Sequence, residues 1–108
     1  MQDAFNALYD VIMQRRSNPQ EGSYTCYLFE QGIDKILKKC GEECAETIVA
    51  AKNGDKNEII YEISDLIFHL SVLMAQAGVT PNEIAAELEK RSAKTGNLKV
   101  MHQTDKNS

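Results

Sequence analysis

A chain of 108 residues with 43% apolar and 26% charged residues has the size and composition of one soluble globular domain. The formal net charge of −4 argues against a surface for duplex nucleic acid, and no apolar run is long enough for a transmembrane helix. Because no basic segment followed by an apolar run opens the sequence, we expect no signal peptide and a cytoplasmic protein.

Helical periodicity predicts three helices in the first half of the chain. Apolar residues recur every three or four positions over residues 3–16, and turn residues then break the pattern. Thr25 is predicted to cap a short helix that ends near Gln31, and Gly32 separates it from a long helix over residues 33–52. The predicted apolar stripe of this long helix consists of Ile33, Ile36, Leu37, Cys40, Cys44 and Ile48.

Two of these stripe residues are cysteines, four positions apart. We interpret Cys40 and Cys44 as small buried hydrophobic residues on one face of the helix. The alternative is a zinc-binding pair, but no second pair of ligands follows at zinc-finger spacing.

The second half of the chain predicts two more helices. Gly54 ends the long helix, and Asp55 begins another that extends to about Gln76. Thr80 and the proline after it begin a last helix, which ends near Arg91. The predicted apolar stripe of the fourth helix consists of Ile59, Ile63, Leu66, Ile67, Leu70, Leu73 and Met74. The prediction is an all-α bundle of four to five helices over residues 1–98, with a polar tail over residues 99–108.

Acidic residues border the apolar stripes of both long helices. Glu43 and Glu46 are three positions apart on one, Glu62 and Asp65 are three apart on the other, and Glu42 points further outward. The short connection makes these helices antiparallel neighbours, so the two pairs can face each other. Converging carboxylates repel unless a cation joins them, and their oxygens suit Mg²⁺ or Mn²⁺. A solvated helix face is the alternative explanation.

A di-iron site is excluded because neither helix carries the Glu-x-x-His unit that such bundles use. His69 lies four positions after Asp65, and we interpret it as a flank residue hydrogen-bonded to Asp65 rather than as a metal ligand.

The segments EECAE and EISD, separated by fifteen residues, resemble the E-E-x-x-E and E-x-x-D signature of the MazG-like all-α NTP pyrophosphohydrolases. Within that superfamily, SYTCYLFEQGIDKILKKCGEECAETIVAAK is similar to the phosphoribosyl-ATP pyrophosphohydrolases of histidine biosynthesis. The resemblance covers roughly residues 3–98. It implies hydrolysis of the α–β phosphoanhydride of 1-(5-phosphoribosyl)-ATP to phosphoribosyl-AMP and pyrophosphate. It also implies a homodimer whose helices form one larger bundle, with sites near the subunit interface.

The resemblance further implies Mg²⁺ ligands at Glu43, Glu46, Glu62 and Asp65, one of which activates water. Glu42 matches the leading acid of the signature, so the candidate catalytic residues include it beside Glu43 and Glu46. We interpret Glu42 as supporting the ligands or as becoming a ligand only on dimerisation. The candidate substrate-binding residues are Ser23, Tyr24, Thr25, Lys39, Arg91 and Lys94. Lys39 is equally explained as a helix pair with Glu43, and the cations after the last helix as ordinary helix-end residues.

Two other functions remain open from the sequence. One is a house-cleaning hydrolase of free or modified NTPs, which the S-Y-T and K-K-x-G-E-E elements favour less than the phosphoribosyl-ATP enzyme. The other is a helical module that binds a partner without catalysis, which predicts that Mg²⁺ changes neither stability nor activity.

Overall fold

The computed structural model describes residues 2–93, and that part of the chain contains five α-helices and no strand. The helices are α1 (Gln2–Ser17), α2 (Tyr24–Gln31), α3 (Ile33–Asn53), α4 (Lys56–Ala77) and α5 (Pro81–Ser92). The predicted all-α fold is confirmed. Lys94, the predicted domain end at residue 98 and the predicted tail lie outside the described residues.

The long helices α3 and α4 form the most extensive helix–helix contact in the described chain. Two residues connect them. Gly54 adopts the left-handed conformation, with φ of 74°, and its N–H bonds to the carbonyl of Ala50. The Asp55 side chain then accepts the N–H groups of Asn57 and Glu58, at 2.9 and 3.3 Å. Such a short connection makes the helices antiparallel, as predicted.

The other helices enclose one side of this hairpin. α1 packs against α4, α2 contacts α1, α3 and α4, and α5 contacts α1. The buried core residues are Ile12, Leu28, Ile36, Cys40, Val72 and Ala75. None of the five helices is by itself long and apolar enough to span a membrane, and α4 and α5, bent by 108° at their junction, meet those criteria only as a pair.

The N-terminus of α2 differs from its prediction. Ser23 is the cap, because its backbone is extended and its Oγ accepts the N–H of Cys26 at 3.2 Å. Thr25 lies inside the first turn, so its predicted capping role was wrong. By contrast, Thr80 caps α5 as predicted: its Oγ1 accepts the N–H of Glu83, whose carboxylate accepts the N–H of Thr80.

The buried face of α3 is narrower than its predicted stripe. Ile36 and Cys40 are buried, but Cys44 is exposed, so its interpretation as a buried residue was wrong. Three further stripe residues are also exposed: Ile33, Leu37 and, at 65%, Ile48. The reason is that no helix within residues 2–93 covers this side of α3.

The predicted stripe of α4 was also partly wrong. The buried residues of α4 are His69, Ser71, Val72 and Ala75, whereas Ile63 and Leu70 are exposed. α4 carries apolar residues around most of its circumference, so periodicity did not identify the side that packs against α1, α2 and α3.

Candidate active site

The acidic residues of α3 and α4 meet where the two helices lie side by side. Glu43, Glu46, Glu62 and Asp65 each place one carboxylate oxygen within 4.8 Å of those of the other three. The first two occupy successive turns of α3 and the last two successive turns of α4. We call these four residues the carboxylate cluster. Oxygen ligands that converge from two rigid helices are an arrangement suited to a hard divalent cation.

Glu43 is the most buried member of the carboxylate cluster, with only 3% of the residue exposed. Its Oε2 has no hydrogen-bond partner among the described residues, although buried polar atoms are normally paired. Burial, with the neighbouring carboxyl groups of Glu46 and Asp65, raises the pKa of Glu43 to about 7. Burial and the charge of Glu46 also raise the pKa of Glu62. A cation bound at Oε2 of Glu43 would give this atom a partner and would stabilise the ionised carboxylates of Glu43 and Glu62.

A cationic side chain stands beside the carboxylate cluster. The Nζ atom of Lys39 lies 3.5 Å from Glu42 and 3.9 Å from Glu43. Partial burial alone would lower the pKa of Lys39, but Tyr24 and the two carboxylates outweigh it, so the pKa is raised. Glu42 is about half exposed and lies outside the cluster, where it pairs with the lysine. The lysine therefore remains charged at the edge of the site.

A hydrogen-bonded chain reaches the carboxylate cluster from α2. His69 Nδ1 lies 2.8 Å from the carbonyl oxygen of Asp65 and 3.4 Å from its Oδ1. The expected bond between His69 and Asp65 is thus present, but His69 is 2% exposed and not on a solvent-facing flank. Tyr24 Oη lies 2.9 Å from His69 Nε2. The sequence analysis missed this contact, although a histidine inside the apolar run FHLSVL signals a need for a polar partner.

The other candidate substrate-binding residues have different surroundings. Ser23 caps α2, and Thr25 is half-buried within its first turn. Arg91 pairs with Glu87 at 3.0 Å on α5, which contacts neither α3 nor α4 within the described chain. Lys94 lies outside the described residues. Of the candidate substrate-binding residues within residues 2–93, the structure places Tyr24 and Lys39 beside the carboxylate cluster.

An open depression of about 480 Å³ adjoins the carboxylate cluster on α4. It is lined by Asn57, Glu58, Tyr61 and Glu62, the last of which belongs to the cluster. A ligand in this depression would therefore lie next to any cation held by the four carboxylates.

Residues 5–92 match the sequence profile described as phosphoribosyl-ATP pyrophosphohydrolase, which covers all five helices apart from the start of α1. The chain belongs to this family. The match includes both long helices and therefore all four residues of the carboxylate cluster.

Individual members of the phosphoribosyl-ATP pyrophosphohydrolase family are similar over most of the chain. A phosphoribosyl-ATP pyrophosphatase from Clostridium novyi is 54% identical over 90% of this chain and 88% of the relative. One from Lacticaseibacillus casei is 51% identical over 93% of this chain and 91% of the relative. The histidine biosynthesis bifunctional protein HisIE of Caldanaerobacter subterraneus is 56% identical over 85% of this chain, which spans only 45% of that longer protein.

Proposed function

We propose that this chain hydrolyses the α–β phosphoanhydride of 1-(5-phosphoribosyl)-ATP to phosphoribosyl-AMP and pyrophosphate, the second step of histidine biosynthesis. The observation that carries the chemistry is the buried, unpartnered Oε2 of Glu43 among four converging carboxylates. The choice of substrate rests on the family match over residues 5–92 and on relatives named phosphoribosyl-ATP pyrophosphatase.

The proposed ligands of Mg²⁺, with Mn²⁺ as a substitute, are Glu43, Glu46, Glu62 and Asp65. The donor set fits these ions because it consists of oxygens alone, and both ring nitrogens of the nearby His69 already have partners. When bound, the cation screens the phosphate charge and orients the leaving pyrophosphate. Water adds its oxygen to phosphorus, the bridging P–O bond breaks, and one cluster carboxylate accepts the water proton.

The basic residues are proposed to bind the phosphates of the substrate. Lys39 is the first candidate, since its ammonium already stands beside Glu43 and is held there by Glu42. Arg91 lies on a helix that, among the helices of residues 2–93, contacts only α1, so we propose that it acts across a subunit interface. Ser23, Thr25 and Lys94 are kept as candidates on the strength of the sequence resemblance alone.

The proposed activity is tested by incubating the purified protein with phosphoribosyl-ATP and Mg²⁺ and measuring the release of pyrophosphate. We expect turnover that stops when the divalent cation is chelated, and little turnover of ATP, which lacks the ribosyl phosphate at N1. Turnover of dCTP or dUTP without turnover of phosphoribosyl-ATP would instead identify a house-cleaning hydrolase. A lack of turnover with all of these nucleotides would favour the partner-binding module.

We also propose that two chains associate through the exposed apolar sides of α3 and α4. Leu37 and Ile48 lie eleven positions apart on α3, and Ile63 and Leu70 lie seven apart on α4, so each pair occupies one face of its helix. Large apolar residues that are exposed on one side of a helix favour an interaction site there. The chain has few aromatic residues and no tryptophan, so its own core is light.

Sedimentation equilibrium is expected to give twice the chain mass of 12.1 kDa. Ile48→Glu should shift the protein toward the monomer because it places a charge in the proposed interface. Val11→Glu makes the same change at an exposed apolar residue of α1, and should leave the mass unchanged. A monomeric wild-type protein at micromolar concentration would contradict the proposal.

A further inference from the structure

His69 is a buried polar residue whose two ring nitrogens are both engaged. Nδ1 lies 2.8 Å from the carbonyl oxygen of Asp65, and Nε2 lies 2.9 Å from Oη of Tyr24. The imidazole is also held by aromatic neighbours. Its ring centre lies 5.0 Å from that of Phe68 and 5.7 Å from that of Tyr24, both edge-on. His69 therefore has little freedom to turn away from Asp65 or to bind a metal ion itself.

The partners define the direction of the hydrogen bonds. A carbonyl oxygen can only accept, so the proton of the neutral imidazole is assigned to Nδ1, which donates to Asp65. Nε2 is then an acceptor, and the hydroxyl of Tyr24 donates to it. Partial burial raises the pKa of Tyr24, so its hydroxyl keeps its proton. The carbonyl of Asp65 thus fixes the tautomer of His69, and the bond from Tyr24 holds the ring in this orientation.

This arrangement orients a donor toward a member of the carboxylate cluster. The Nδ1 atom that donates to the carbonyl oxygen also lies 3.4 Å from Oδ1 of Asp65, whose side chain is one-third exposed. An aspartate with that exposure has several accessible rotamers. Because this N–H is fixed beside Oδ1, its partial positive charge favours the rotamer in which the carboxylate of Asp65 lies with those of Glu43 and Glu46, and neighbouring groups of this kind orient metal ligands.

We propose that His69 is a positioning residue that holds the carboxylate of Asp65 for the cation, and that Tyr24 holds the ring of His69 in the required orientation. The proposal rests on the proposed metal site. It assigns to α2 a part in metal binding, since Tyr24 is the first residue of that helix and lies 45 positions from His69. The contact connects α2, where substrate binding is proposed, to α4, which carries the proposed metal ligand Asp65.

The test compares variants that keep one side of the imidazole. His69→Asn places an amide N–H near the position of Nδ1, whereas His69→Gln places its amide near that of Nε2 and removes the donor to Asp65. Mn²⁺ affinity is measured by electron paramagnetic resonance without substrate, beside kcat, KM and Tm. We expect His69→Gln to lower Mn²⁺ affinity about 10- to 100-fold and His69→Asn to recover most of that loss. Tyr24→Phe should lower the affinity about fivefold, the effect of one neutral hydrogen bond.

Ser71→Ala serves as the matched control for a purely structural effect. Ser71 is buried on the same helix and donates to the carbonyl of Ile67, away from the carboxylate cluster. This variant should lower Tm and leave Mn²⁺ affinity unchanged. Unchanged affinity in His69→Gln, or equal losses of affinity and Tm in His69→Gln and His69→Asn, would overturn the positioning role. A wild-type protein that binds no Mn²⁺ would overturn the metal site as well.

Discussion

Glu43→Gln is expected to abolish pyrophosphate release while leaving the helical fold intact. Glu43 supplies the most buried oxygen of the carboxylate cluster, and an amide in its place removes one negative charge from the cation site. Losing a group that only supports a ligand costs about 10- to 100-fold, so losing a ligand should reduce kcat by at least about 100-fold. Steady-state kinetics with phosphoribosyl-ATP and circular dichroism together measure the two effects.

The same substitution should raise Tm in the absence of divalent cations. Folding raises the pKa of Glu43 from 4.5 to about 7, because ionisation of this residue is opposed in the folded state. The folded protein therefore loses stability as the pH rises between those two values. Glutamine does not ionise, so the gain in Tm should be larger at pH 8 than at pH 5. Glu89→Gln, an exposed position on α5, makes the same chemical change and should alter neither kcat nor Tm. Near-normal kcat in Glu43→Gln would refute the metal site as proposed.

Asp65→Asn is expected to cause a comparable loss of activity by a different route. It removes the proposed metal ligand that α4 places opposite Glu43, and its amide nitrogen cannot coordinate a cation. The backbone carbonyl that accepts from His69 remains, so the local packing should be retained. We expect kcat/KM to fall by at least about 100-fold and half-maximal activity to require more Mg²⁺.

Asp34→Asn is the control for Asp65→Asn. Asp34 is exposed in the first turn of α3, nine positions before Glu43. The substitution removes the same charge as Asp65→Asn and should leave the Mg²⁺ dependence unchanged. If Asp65→Asn kept near-normal kcat and an unchanged Mg²⁺ requirement, Asp65 would not be a ligand.

The helices were largely predictable because their ends are local features. Gly54 and Asp55 mark the junction of α3 and α4 by the left-handed conformation of one and the side-chain cap of the other, and Thr80 marks α5 in the same way. The error at α2 is equally local in origin. Ser23 and Thr25 carry the same capping group two positions apart, and only the backbone decides between them.

The carboxylate cluster was predictable for a related reason. Two acids three positions apart share one side of a helix, and a two-residue connection makes α3 and α4 neighbours, so the convergence follows from spacing. Burial was predicted less well. Cys44 and Ile48 have the spacing of core residues, yet no helix in residues 2–93 covers them. Periodicity identifies an apolar side of a helix but not what covers it.

The sequence by itself determined the all-α class, the helix ends and the pairing of acids on two adjacent helices, because each depends on residues within a few positions of one another. Only the tertiary structure decided that Oε2 of Glu43 is buried without a hydrogen-bond partner among the described residues while Glu46 stays exposed. It also decided that Tyr24 meets His69. Both depend on how α2 packs against α3 and α4, and contacts between residues far apart in the chain leave no periodic pattern in the sequence.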